Sequence, residues 1–296
     1  MADDKGPLVQ ALLAMAALRD SGRARTHTIR LLVGSDEESA NLDIATYLKS
    51  HQPPDLSLVL DSAFPVVVGE KAWDRLDVTA NDPYRPRGTV GSAPLWSIVQ
   101  LDAGIAASIV PPRATALLHS LTNYTVGSEG LRRICPIGMP SGYRCEAVLD
   151  NGDIAVTVTG KAAHAGVNIE GGRNALVELA NVLPKETVFS GARDLLELAA
   201  TAGTDLHGSG LGLTKIDPLW GRYAVNVATV KPTATGALTL SINLRRPPPT
   251  TRQEIQTHLQ RIVEEFNRIL GASLEFGGYF QDEPLAFDPN SKPFAP

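Results

Sequence analysis

The apolar positions of the first seventy residues change period several times. Leu8, Val9, Leu12, Leu13 and Ala16 recur at helical spacing behind Pro7, which suits a first helical turn, and Gly22 closes the segment. Ile29 to Val33 then reads IRLLV up to Gly34, and Leu56 to Leu60 reads LSLVL; the stretch near Asn41 to Lys49 between them is helical in spacing. Runs that are apolar on both faces suit parallel strands covered on both sides. Strands alternating with helices predict a βαβ arrangement, so residues 1–70 read as an α/β piece.

From Lys71 the pattern shifts to period two. Ile154 to Thr159 alternates, as does Leu238-Leu240-Ile242-Leu244, and each predicts a half-buried antiparallel strand. Asn81-Asp82-Pro83 and Asn151-Gly152-Asp153 are turn signals. A helix is predicted over Arg173 to Leu183. A second starts at the capping box of Thr251 and Glu254, carries the stripe Ile255, Leu259, Ile262, Val263, Phe266 and Ile269, and ends at Gly271. Residues 71–282 therefore predict an α+β domain with antiparallel sheets, and 283–296 a return segment. Two doubly covered strands need neighbours that residues 1–70 scarcely supply. Asn290-Ser291-Lys292-Pro293 announces a helix three residues before the last residue. Both observations lead to the expectation that the chain is a fragment.

Composition narrows the class. At 296 residues, 43% hydrophobic and 20% charged, the chain can build a sizeable core and does not read as disordered. It has no apolar run of about 18 residues, so no membrane span is expected. A net charge of -5 offers no basic surplus for phosphates, so no nucleic-acid partner is expected either. The N-terminus lacks the layout of a signal peptide, which makes the cytoplasm the expected compartment. Cys135 and Cys145 read as reduced thiols, with a spacing that would permit a hairpin disulfide under oxidising conditions.

Carboxylates recur at one kind of location. Asp3 and Asp4 precede the first helix, Asp36, Glu37 and Glu38 follow IRLLV, and Asp61 follows LSLVL. Ligands of open α/β sheets bind outside the carboxyl ends of the strands, and crowded carboxylates call for a cation. Acids also gather at helix starts and turns for capping reasons alone, so spacing leaves both readings open. His27, His51, His119, His207 and His258 read as solvated turn or helix-surface residues. Of these, His207 in DLHGSG is the one whose glycine-rich loop could approach a substrate.

Five motifs occur in order: ADDKGP (2–7), GSDEES (34–39), LDSAFPVVVGEK (60–71), GKAAHAG (160–166) and INLRRP (242–247). Together the chain resembles the co-catalytic zinc peptidases of the carnosinase, aminoacylase and desuccinylase superfamily, on the side of the bacterial Xaa-His dipeptidases with an enlarged lid. The resemblance implies a partial catalytic domain with a parallel-rich sheet (1–70) and an inserted lid domain (71–282). It makes Asp3 the carboxylate bridging two zinc ions, Glu38 and Asp61 ligands of one ion each, and Glu37 the general base. Cobalt or manganese could replace zinc. His164 corresponds to the lid histidine that stabilises the oxyanion, and Arg245 to the lid arginine that grips the substrate's terminal carboxylate. Arg246 should face the other way.

Two departures go with the resemblance. The upstream His-x-Asp motif and the last histidine ligand have no counterpart in this sequence, and Ser108 stands where an asparagine often accompanies the histidine. The function implied is zinc-dependent dipeptide hydrolysis by a monomer acting on small peptides, with this chain inactive by itself. An N-acyl-amino-acid deacylase and a non-catalytic binding module are the alternatives.

Overall fold

The computed structural model describes residues 5–24, 26–35, 42–61, 67, 69–87, 96–121, 127–183 and 187–286. The chain divides into two units, residues 1–69 with 287–296, and residues 70–286. Helices and a large sheet make it a mixed α/β protein.

In the first unit, α1 (Lys5–Asp20) and α2 (Leu42–Leu48) form where the helical spacing predicts them, and Gly22 follows α1 with φ of 65°. The two expected parallel strands are a correction: residues 28–34 and 56–61 carry no strand. A strand exists through its ladder partners, and no described segment pairs with either run. Their side chains stay in solvent, with Leu58 81% and Val59 82% exposed.

The second unit carries β2 (Ala72–Ala80), β3 (Trp96–Ala103), β4 (Arg113–Ser120), β5 (Arg144–Asp150), β6 (Asp153–Thr159), β7 (Ala224–Pro232), β8 (Leu238–Arg246) and β9 (Leu274–Phe280). The two-residue strands β1 (Gly69–Glu70) and β10 (Leu285–Ala286) bracket it. The eight longer strands form one antiparallel sheet in the order β5-β6-β4-β3-β7-β8-β2-β9. Its two halves meet through a single residue pair, Ala103 with Val230.

One sheet face carries the core. Leu76, Val78 and Ala80 of β2 join Leu240, Ile242 and Leu244 of β8 beneath α4 (Ala175–Val182), α5 (Gly191–Ala202) and α6 (Arg252–Leu270). α6 buries Ile255, Leu259 and Val263, and its capping box is formed as predicted, with Gly271 ending it at φ of 61°. Alternation puts polar residues on the other face, where Ser241 donates to Asp77 at 2.6 Å and Thr79 pairs with Thr239 at 2.8 Å.

Arg246 is fully buried on the core face. Its Nε donates to Asp74 Oδ2 at 2.8 Å, and its other nitrogens to the carbonyls of Thr250 and Gln281. Asp74 is also fully buried and accepts from the Gln281 N–H at 3.0 Å. Burial pushes the Asp74 carboxyl up, against the opposing pull of the guanidinium. The pair ties β2, β8, the start of α6 and the segment after β9 to one another.

The cysteines are a second correction. They form a Cys135–Cys145 disulfide, because the end of α3 (Ser128–Ile134) stands beside edge strand β5 with the Cα atoms 5.4 Å apart. Among the described residues no helix is long and apolar enough to cross a membrane.

Removing one partner of a buried ion pair leaves the other charge stranded. Arg246→Ala should cost about 3–5 kcal/mol of unfolding free energy in urea titrations, and the double variant Arg246→Met, Asp74→Leu should recover most of that loss. Replacing both cysteines by serine should cost about 2–3 kcal/mol under non-reducing conditions, and nothing further when reductant is present in both samples.

Candidate functional site

The candidate site begins where β6 ends. Gly160 must be glycine, since a Cβ there would stand 2.0 Å from the Arg173 carbonyl oxygen. The chain then makes a loop closed by the reciprocal backbone bonds of Lys161 and Arg173, at 2.8 and 2.9 Å. His164 lies in this loop. Its backbone N–H donates to Asn168 Oδ1 at 2.8 Å, and its carbonyl accepts from the Asn168 N–H at 3.0 Å.

A small apolar cluster of Val110, Ala163, Ala165 and Ile169 seats the loop. A short antiparallel bridge joins it to the 107–110 segment: Val110 N–H donates to Ala163 O at 2.9 Å and Ala165 N–H to Ser108 O at 2.7 Å. Ile109 pairs with His164 in this bridge, and Ser108, the residue in the asparagine position, is bonded to Ala165 next to it.

Gly166 is the meeting point. Its N–H donates to His164 Nδ1 at 3.3 Å. Nδ1 is then the ring's acceptor and Nε2 its donor. Gly166 also faces Arg245, for a Cβ on it would stand 3.0 Å from the guanidinium carbon. Arg245 sits at the end of β8 on the polar face, opposite to Arg246 as expected, between Trp73 of β2 and Ala224 of β7. It is mostly buried and reaches Glu70 Oε1 at 3.6 Å.

Beside Gly166 opens a cleft of about 270 Å³, lined by Lys71, Val167, Glu170, His207 and Trp220 among others. Lys71 donates to the Arg222 carbonyl, and burial lowers its pKa. His207 donates from Nδ1 to the Tyr223 carbonyl at 3.0 Å, which leaves Nε2 as its acceptor. The Asp205 carboxylate holds this loop. The Ser209 hydroxyl, and the N–H groups of His207, Ser209 and Gly208, bring its pKa down to about 2.

The structure thus places His164 and Arg245 together at Gly166, with Ser108 bonded to the neighbouring Ala165. Asp61 lies in the first unit and is exposed. Asp3, Glu37 and Glu38 lie outside the described residues. Among the described residues no three His, Cys, Asp or Glu gather to hold a metal ion.

Two histidines depart from the solvated reading: His207 is half-buried in the cleft, and His258 on α6 is half-buried and bonded to the Leu211 carbonyl at 2.7 Å. His119 is exposed, though it lies on strand β4, where it pairs with Asp153 at 2.7 Å. The sequence reading missed Lys71 altogether. The glycines of DLHGSG were the signal for His207.

No protein-family model matches the chain. Curated relatives do. YtjP of Bacillus subtilis, provisionally named a dipeptidase, is 26% identical over 246 residues, 83% of this chain and 51% of its own length. A provisionally named dipeptidase of Staphylococcus haemolyticus is 25% identical across 93% of this chain and 56% of its own. The Beta-Ala-Xaa dipeptidase of Lactobacillus delbrueckii is 25% identical across 99% and 58%. Their names agree with the resemblance carried by the five motifs. The chain spans about half the length of the curated relatives it matches. Among solved structures, an aminoacylhistidine dipeptidase from Vibrio alginolyticus aligns with 76% of this chain and 47% of its own, at 15% identity and a TM-score of 0.29, too loosely to place residues by.

The pKa of Asp205 in the fold lies below its ordinary 3.8. The stabilisation it confers is therefore present above about pH 4 and lost as pH falls through about 2. The amide resonances of His207 and Ser209 should move across that window, and Asp205→Asn should remove the dependence.

Proposed function

We propose, from the likeness to curated dipeptidases, that this chain belongs to a hydrolase that cleaves dipeptides or similar small amides. The observation that carries the reading is the shared position of His164 and Arg245 on Gly166. A dipeptide has only one nitrogen and one Cα between its scissile carbonyl and its terminal carboxylate, so a donor to one and a clamp for the other must be close neighbours.

Arg245 takes the carboxylate, where a planar guanidinium offers two parallel donors. The strand position and the Gly166 backbone orient it. His164 presents Nε2–H to the carbonyl oxygen. Its bond strengthens as that oxygen gains charge in the tetrahedral transition state, and this differential binding accelerates the step. Glu37 takes a proton from the attacking water and returns it to the leaving amine.

Asp3, Glu38 and Asp61 would hold the metal. All three offer oxygen, which suits a divalent cation, and Asp61 presents its carboxylate in solvent. Two zinc ions, or cobalt or manganese, would supply polarisation of the carbonyl and acidification of water. A monomer and a cytoplasmic setting belong to the same proposal. The Cys135–Cys145 disulfide weighs against the cytoplasm, since such bonds persist mainly in oxidising compartments.

The test is an assay of this chain, and of a version extended at both ends, on dipeptides and acetyl-amino acids with each of the three metals. The extended form should hydrolyse dipeptides. In it His164→Ala should lower kcat by roughly 10²–10³, while Arg245→Ala should act mainly on KM. A metal-loaded extended protein without turnover on either substrate class would overturn the enzyme reading. Faster turnover of acetyl-amino acids would convert it to a deacylase.

A further inference from the structure

Outside the substrate-facing groups, Asn226 is a buried polar side chain whose amide is hydrogen-bonded at both its nitrogen and its oxygen. It lies on the polar face of β7, is only 1% exposed, and pairs across the sheet with Asn243. Its Nδ2 donates to two carbonyls of one segment, Ala107 O and Ile109 O, each at 3.0 Å. Carbonyls only accept, so the amide nitrogen must face that segment. The oxygen then accepts from Asn174 Nδ2 at 3.4 Å, and Asn174 in turn caps α4 and donates to Val227 O at 2.8 Å.

The segment held in this way is a turn, closed by the Ile109 N–H on the Ala106 carbonyl at 3.2 Å, and it bonds on two sides. Ala107 O and Ile109 O point to Asn226. Ser108 O and Val110 N–H point the other way and make the bridge to Ala165 and Ala163, on either side of His164. The sheet ladder itself does not hold the segment. β3 and β7 share only the Ala103–Val230 pair, and the strand then ends at Gly104, which presses so closely on Ala228 that a Cβ would stand 2.0 Å from its carbonyl oxygen.

We propose that Asn226 is a positioning residue: its amide clamps residues 107–109 to β7 and through them fixes the register and ring orientation of His164. The functional weight of this clamp rests on reading His164 as the oxyanion donor. The structural claim does not, and its test needs no turnover.

Asn226→Asp keeps the shape, retains an acceptor for Asn174 and leaves one donor at most where the amide had two. The readouts are amide hydrogen exchange and the ring ¹⁵N shifts of His164, which report the tautomer. Wild type should show a single Nε2–H tautomer. In the variant, exchange at Val110 and Ala165 should quicken roughly tenfold or more, and the His164 shifts should move toward a tautomer average. Leu259→Ala, which opens the core beneath α6, serves as a control matched for lost melting temperature and should leave both readouts unchanged. If Asn226→Asp fails to fold, Asn226→Ser, which retains one donor at most, should give the same changes at smaller size. Unchanged exchange and shifts in a folded Asn226 variant, or equal changes in Leu259→Ala, would overturn the proposal. A chain that hydrolyses nothing while the clamp readouts behave as stated would refute the enzyme reading alone.

Discussion

A loop laid against the polar face of a sheet must find partners for its own N–H and C=O groups, and that requirement decides where His164 sits. Neither the 104–112 loop nor the 160–173 loop can join the sheet, because β3 and β7 touch at one residue pair where the two halves part. The loops satisfy each other instead, through the bonds of Ser108 and Val110 to Ala165 and Ala163. Unpaired buried backbone groups are costly enough that such a bridge confines the loop strongly. The imidazole inherits its place from backbone bonding, and its tautomer from the N–H of Gly166.

The two arginines at the end of β8 show how one strand serves both stability and a candidate site. Adjacent residues of a strand face opposite sides. Arg246 turns into the core, where Asp74 and two backbone carbonyls absorb its charge and its donors. Arg245 turns to the polar face, against Gly166 and toward Glu70. Any shift of β8 by one residue would exchange the two, burying the wrong partner. The register set by Leu240, Ile242 and Leu244 on the core face therefore also determines which guanidinium can meet a ligand.

Much of the α+β unit was legible because its signals are local. The capping box of Thr251 and Glu254, the apolar stripe behind it and Gly271 act within a few residues of one another, and α6 follows them closely. The alternation of β6 and β8 needed only to know that one face would be covered. The runs at 29–33 and 56–60 carry equally strong apolar patterns and yet form no strand, since a ladder depends on a neighbour that the run does not itself encode. The burial of His258 was out of reach, and the disulfide and the place of His207 were legible only as options, for each depends on which distant segment folds alongside.

What the amino-acid sequence determined unaided was the residue types and their facing: the helix ends, the strand periods, the opposite directions of Arg245 and Arg246, and a motif order that resembles that of dipeptidases. What tertiary structure decided was company. Lys71, Gly166 and Asn226 stand 95 and then 60 positions apart along the chain, and no period or propensity links them. They acquire meaning because the seam between the sheet halves leaves backbone groups to be paired: the buried amide holds the 107–109 segment, that segment holds the His164 loop, and the loop brings Gly166 to the strand-end Arg245.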